Sequence, residues 1–456
     1  MTAAAPAKLP IASRFLPSGV FYGWYVAIAC ALLMFVGVGV GYYGLPIFIQ
    51  PLKDDHGWST TQVSWAPTIY FCVSGLTSAI VGPMVDRRGP VGFMLVGTVV
   101  NGVSAAFIGL VGELWQLYLV YFIFAVAFGM SSSIAVNAIM TRWFVRKRAL
   151  AMSISSTGVS LGGVVLAPVA SWLIDVGGLE LATPILGALV LVVALPVILL
   201  VVSWDPRQMA LTPDGDAADR PQNAATRKAM AAQTKSWTRR EALSSVGFWG
   251  IFVAFLLVLV AQTGYIIHQV SFLEERLGSR NEAAFTLSVT ALGSIIARLA
   301  VGVFADGVDK RLLTVILFLV QGTCILLIIH TENIAATWAL TLVFGLTIGN
   351  VYMMQSLLVG EIFGIVSFGM VFGLISLAGQ VGSGLGPIGV GYIHDQTGGY
   401  GVPFTITALL TYAAAIAILF ARPSREATAA AEVAEHAPGP EHASSASPAG
   451  PGEAAR

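Results

Sequence analysis

The chain has 456 residues, of which 56% are hydrophobic and 11% charged, with a mean hydropathy of +0.81. A soluble protein carries about a quarter charged residues, so a soluble globular enzyme is excluded, and a formal net charge of zero gives no electrostatic handle on nucleic acid. Cys30, Cys72 and Cys324 all sit in apolar runs, at spacings that suit neither a disulfide framework nor a metal site.

The first twenty residues, with Lys8 and Arg14, lack the pattern of a cleaved signal peptide, and the first apolar run is too long for one. Twelve apolar runs of bilayer-spanning length follow, at 22–49, 62–84, 91–111, 115–140, 150–174, 183–203, 246–270, 284–304, 312–330, 335–359, 366–392 and 402–420. They predict an all-α polytopic membrane protein with twelve transmembrane helices. Its parts are a cytoplasmic N-terminal segment 1–21, a six-helix bundle 22–203, a polar central loop 204–243, a second six-helix bundle 244–421 and a tail 422–456. The tail is rich in Ala, Pro, Ser and Glu, a composition that reads as disordered.

Basic residues set the expected orientation. With the N-terminus in the cytoplasm, the inside segments carry 20 Lys and Arg, and the outside loops carry three, Lys53, Arg276 and Arg280. Both termini are therefore expected inside, and the Ala- and Pro-rich composition with no signal-peptide pattern points to a bacterial inner membrane. The one basic residue left over is Arg298, within the apolar run ALGSIIARLAVGVF that precedes Asp306. A guanidinium there costs roughly 2.5–3.5 kcal/mol on insertion scales and is tolerated when it faces a wet cavity inside a bundle. No Asp or Glu lies inside any of the twelve runs, so the sequence offers no buried partner. Snorkelling toward the polar break at Asp306 is the competing structural reading.

An internal repeat supports a six-plus-six plan. After the second run the chain reads GPMVDRRGP (Gly82 to Pro90), and after the eighth it reads GVFADGVDKR (Gly302 to Arg311). The first, through Gly82, Asp86, Arg87 and Gly89, resembles the signature loop of the major facilitator superfamily, and the resemblance extends over all twelve runs. It implies a cytoplasmic gate in which Asp86 and Arg87, beside Gly82, and Asp306 in the second copy, meet helix N-termini and arginines such as Arg142. A carboxylate is stabilised there by unpaired N–H groups.

A narrower resemblance lies in WFVRKRALAMSISSTGVSLGG, Trp143 to Gly163. Through Phe144, Arg146, Lys147, Arg148, Leu150, Ala151, Gly158 and Gly162 it is similar to the entry into helix five of the monocarboxylate transporters and the oxalate:formate antiporter-like proteins. YGWYV (Tyr22–Val26), GYIIHQVSFLEERLGS with an inward His268, and EIFG (Glu361–Gly364) followed by Phe372, Gly373, Gly386, Pro387 and Asp395 to Tyr400 agree with it. The resemblance implies that Arg298 binds a substrate carboxylate. Three departures stand against it: Ser294 replaces an acidic residue one turn before Arg298, Tyr42 and Tyr43 replace a lysine late in the first run, and SLAGQVGSG holds no lysine.

Guanidinium can engage a carboxylate through two parallel bonds, a geometry that Lys lacks. One cation suits a monocarboxylate better than a dicarboxylate. His268 is the remaining titratable candidate for the site, able to exchange a proton or simply to hydrogen-bond. Tyr43, Asn137 and Tyr352 lead the polar mid-span residues expected to line the cavity, ahead of Tyr42, Asn350, Gln355 and Gln380. The expectation is a secondary active transporter that moves a small monocarboxylate by alternating access with proton symport, the alternatives being an organic-anion exchanger or a multidrug-type exporter. The expected partners are a small organic anion, protons and the lipid bilayer. A monomer with no cofactor, no metal and no nucleic acid is expected, because no motif for enzyme chemistry is present.

Overall fold

The computed structural model describes residues 10–422 other than 15, 16, 18, 59, 132, 216–235 and 278–279. The predicted tail after 422 and the middle of the central loop lie outside the described residues. Among the described residues there is no strand, and eleven helices are long and apolar enough to cross a membrane.

One of the eleven, Arg148–Leu200, has 53 residues, about 80 Å at the helical rise against a hydrocarbon core of about 30 Å. It contains two crossings. Backbone geometry breaks at Gly177 and Gly178, and Gly178 has φ +68°, a left-handed conformation that glycine enters without steric cost. The total is therefore twelve spans.

Span one comprises Tyr22–Gly41 and Gly44–His56, with a break at Tyr42 and Tyr43. Span two is Thr60–Arg88, span three Val91–Phe107, and span four Leu114–Ser131 with Ser133–Trp143. Spans five and six are the two parts of Arg148–Leu200. Spans seven to twelve are Val246–Leu277, Arg280–Phe304, Lys310–His330, Ile334–Ile362, Phe368–Thr397 and Gly401–Ile418. Within the central loop lie two short 3-10 turns, Pro206–Met209 and Pro213–Gly215, and the helix Arg239–Ser244.

Spans one to six pack on one another, as do spans seven to twelve, and the two groups meet along two seams, span two on span eleven and span five on span eight. Small residues make the seams tight, because van der Waals contact between backbones holds apolar helices together in lipid. A Cβ added at Gly82 would fall 2.0 Å from the Gly369 carbonyl oxygen, and one at Gly302 would fall 2.3 Å from the Ser153 Cβ. Large apolar side chains such as Trp65, Trp115 and Val192 point outward, where lipid rather than water meets them.

Candidate functional site

Spans one, two, four, five, seven, eight, ten and eleven together line a cavity of about 180 Å³ between the two halves. Among the described residues Arg298 is the one formally charged member of the lining. Although only 4% exposed, its guanidinium has no carboxylate within ion-pair distance among the described residues. Instead Nε donates to the Gly349 carbonyl oxygen at 2.7 Å, and Nη1 donates to the Ser156 carbonyl oxygen. The charge is therefore held between span ten of one half and span five of the other.

The sequence builds this cradle with small residues. At Gly349 a Cβ would lie 2.3 Å from the Ser294 carbonyl oxygen, so span ten approaches span eight closely enough for its carbonyl to reach Nε. On span five, Ser153 Oγ donates to the Arg298 carbonyl oxygen at 2.5 Å, and Ser160 and Ser294 place their hydroxyl oxygens 3.4 Å apart. Ser155, Ser156 and Thr157 bond back onto the carbonyl oxygens of Met152 and Ser153. Polar hydroxyls thus surround the cation while its charge stays unneutralised.

Tyr43, Asn137 and Tyr352 line the same cavity as Arg298. The Tyr43 ring lies over Gly163, whose added Cβ would come within 2.7 Å of it, and the Tyr352 hydroxyl is 3.5 Å from Ser383 Oγ. Tyr42, Gln355 and Gln380 also line it. Asn350 does not: it is fully buried, with Nδ2 donating to the Leu346 carbonyl oxygen at 3.1 Å.

His268 is not part of the lining. Its Nε2 is 3.1 Å from the Pro387 carbonyl oxygen, and its ring lies 5.8 Å from that of Tyr400. The expectation of an inward histidine fails on helical phase. Gln262 and Ile266 of span seven do line the cavity, and at 100° per residue position 268 falls on another face. The sequence reading missed Gln262, Ser155, Ser156 and Ser160. Gln262 is 3% exposed with an unpartnered Oε1, and the hydroxyl run SISSTGVS in an apolar span was the available signal for the serines.

At the basic end of the bundle the repeat closes both seams. Asp86, in the last turn of span two, accepts from the Gly369 N–H at 2.7 Å and the Met370 N–H at 2.8 Å, at the start of span eleven. Asp306, after span eight, accepts from the Ala149 N–H at 2.8 Å, at the start of span five. Each carboxylate meets the positive end of a helix in the opposite half. Arg142 pairs with Asp205 at 3.5 Å and lies over the Trp204 ring at 4.2 Å, while its charge stays near enough to Asp86 to favour the ionised carboxylate. Arg87 is exposed.

A sequence model of the Major Facilitator Superfamily matches residues 29–364 and 269–449. The chain is 25% identical over 391 residues to Monocarboxylate transporter 13 of Bos taurus, covering 84% of this chain and 86% of that one. It is 27% identical over 406 residues to Monocarboxylate transporter 11 of Homo sapiens, covering 85% and 81%. To the oxalate:formate antiporter of Oxalobacter formigenes it is 26% identical over 235 residues, 52% of each chain. In fold it is similar to the E. coli transporter FucP in the outward conformation, with a TM-score of 0.66 and 16% identity over 88% of this chain and all of that one. A human organic anion transporter gives a TM-score of 0.62 at 15% identity, covering 87% and 98%. With twelve crossings in two groups of six, the chain belongs to the major facilitator superfamily, is a membrane transporter rather than an enzyme, and is similar within that family to the monocarboxylate transporters.

Proposed function

We propose that the protein moves a small organic monocarboxylate across the cell membrane by alternating access, with a proton as co-substrate and Arg298 as the anchor for the carboxylate. The observation that carries the reading is a buried guanidinium in the central cavity with no carboxylate partner. Backbone carbonyls offer partial charge only, so a substrate anion is the group that completes its electrostatics. Its position between spans five and ten lets a bound anion touch both halves.

The rest of the lining supports the same reading. Among the described residues it contributes hydroxyl and amide groups but no carboxylate, which disfavours cationic cargo and therefore a multidrug-type exporter. No histidine among the described residues lines it either, so the co-transported proton enters with the anion rather than on a histidine of the lining. We place both termini in the cytoplasm of a bacterium, with 22–203 and 244–421 as the two moving bundles. The Asp86 and Asp306 contacts then form a closed cytoplasmic gate.

Uptake of labelled mono- and dicarboxylates into proteoliposomes under an inward proton gradient tests the proposal, with wild type beside Arg298→Ala and Arg298→Gln. The expected result is gradient-stimulated uptake of a monocarboxylate that falls at least tenfold in both variants. Uptake that requires an internal anion in place of the gradient reassigns the protein to exchange. Wild-type rates in both variants remove Arg298 from the substrate site.

A further inference from the structure

The central loop touches the gate at both of its ends. Ser367 stands at the N-cap position of span eleven, where a serine hydroxyl ordinarily accepts from the N–H groups two or three residues ahead. Here it caps nothing in its own helix. Its Oγ instead accepts from the Trp237 N–H at 2.9 Å and donates to the Trp237 carbonyl oxygen at 3.2 Å. Trp237 is itself buried, with its ring 5.1 Å from that of Phe363. The two N–H groups that Ser367 leaves vacant, on Gly369 and Met370, are the ones Asp86 takes.

The other end of the loop repeats the arrangement at span five. Asp214 has φ +61°, a left-handed backbone that costs a non-glycine residue energy. From it, Oδ2 accepts from the N–H groups of Val145 at 3.0 Å and Arg146 at 2.9 Å, and Oδ1 accepts from that of Lys147 at 3.2 Å. Two residues on, the Ala149 N–H is the one bound by Asp306. Just before Asp214 in the chain, the Ser203 carbonyl oxygen and the Asp205 carboxylate fix this end to span four, through Trp143 Nε1 at 2.7 Å and Arg142 at 3.5 Å. Each helix start that receives a gate aspartate from the opposite half is thus also held by one end of the central loop.

We infer that Asp214 and the Ser367–Trp237 pair are positioning elements of the gate. The first fixes the approach to span five so that Ala149 faces Asp306. The second ties the start of span eleven to the Trp237 backbone, so that the Gly369 and Met370 N–H groups face Asp86. The two described ends of the loop then favour the state closed at the basic end. The inference rests on the alternating-access reading but not on the substrate, because its test needs no transport.

The test uses the full chain in a Cys30→Ser, Cys72→Ser, Cys324→Ser background with Ser155→Cys as reporter. Ser155 lines the cavity and is 1% exposed. A membrane-impermeant maleimide is applied from either face of vesicles of known orientation. Asp214→Ala and Ser367→Ala are each expected to raise labelling from the basic face about fivefold, the shift that one net hydrogen bond supports, and to lower it from the opposite face. Asp86→Asn serves as the reference for an opened gate. Unchanged labelling in both variants overturns the inference. So does a rise from both faces, which is general loosening rather than a shift between states. Ser367→Ala removes a single hydroxyl and decides the matter alone where Asp214→Ala does not yield folded protein.

Discussion

Arg298 combines two features that a single side chain rarely shows together: it is buried, and among the described residues no carboxylate lies within ion-pair distance of it, which on the proposed reading leaves its charge for a ligand. The fork geometry matters, because Nε and Nη1 already reach the Gly349 and Ser156 carbonyl oxygens on different spans. Arg298→Lys keeps the charge but cannot hold both carbonyls and a carboxylate. Its carboxylate kcat/KM is expected to fall by about 10- to 100-fold, the value of one charge-assisted bond. Arg298→Leu is expected to abolish uptake yet leave the thermal unfolding midpoint unchanged or raised, since a buried unpaired charge is replaced by an apolar group. A sharply lowered midpoint in Arg298→Leu, seen by intrinsic fluorescence in detergent, marks the arginine as structural. The residue types of the site were legible because charged and strongly polar groups stand out against an apolar run, as Arg298, Tyr43, Asn137 and Tyr352 do. His268 stood out equally and faces elsewhere, since span seven is apolar around most of its circumference and hydropathy carries no helical phase there.

Among the elements, number and order could be read from the sequence and their ends could not. Hydropathy reports bilayer thickness, whereas span two continues in helical form to Arg88 and span seven to Leu277, past the apolar run in each case. The hold of the two described loop ends on the gate was illegible for another reason: its contacts run through backbone N–H groups and one left-handed aspartate, which composition does not encode. Close helix crossings are a middle case. Glycines are visible in the sequence, but only the structure separates those in contact from those that are not. A Cβ at Gly158 would lie 1.9 Å from the Ala31 carbonyl oxygen on span one, while one at Gly37 meets nothing within 4 Å. Gly158→Ala is therefore expected to destabilise the protein by about 1–3 kcal/mol, the usual cost of overpacking. Gly37→Ala, also within a transmembrane helix, is expected to be neutral. Thermal unfolding of the pair distinguishes a contact effect from a general effect of glycine; equal shifts in both variants rule out the specific crossing.

At the scale of the whole molecule, the charge of the cavity constrains how transport can couple to the membrane. Among the described residues the lining has one formal charge, that of Arg298, so the empty site carries +1 and a site holding a monocarboxylate carries zero. If the anion moves alone, the returning empty carrier displaces one charge, and accumulation depends on potential. Each charge moved through 100 mV is worth about 2.3 kcal/mol, close to a 50-fold change in the accumulation ratio. With one proton per anion, as proposed, the loaded and empty sites both carry +1, and the cycle as a whole is electroneutral. The expected outcome is that clamping proteoliposomes at 0 or −100 mV with potassium and valinomycin leaves the steady-state accumulation ratio unchanged. Under the same conditions a one-unit inward pH gradient raises it about tenfold. A bare dicarboxylate leaves a net charge of about −1 in the site, so it is expected to be excluded from uptake unless at least one proton accompanies it. Accumulation that tracks the potential and ignores the pH gradient overturns the proton stoichiometry while leaving the carboxylate anchor in place.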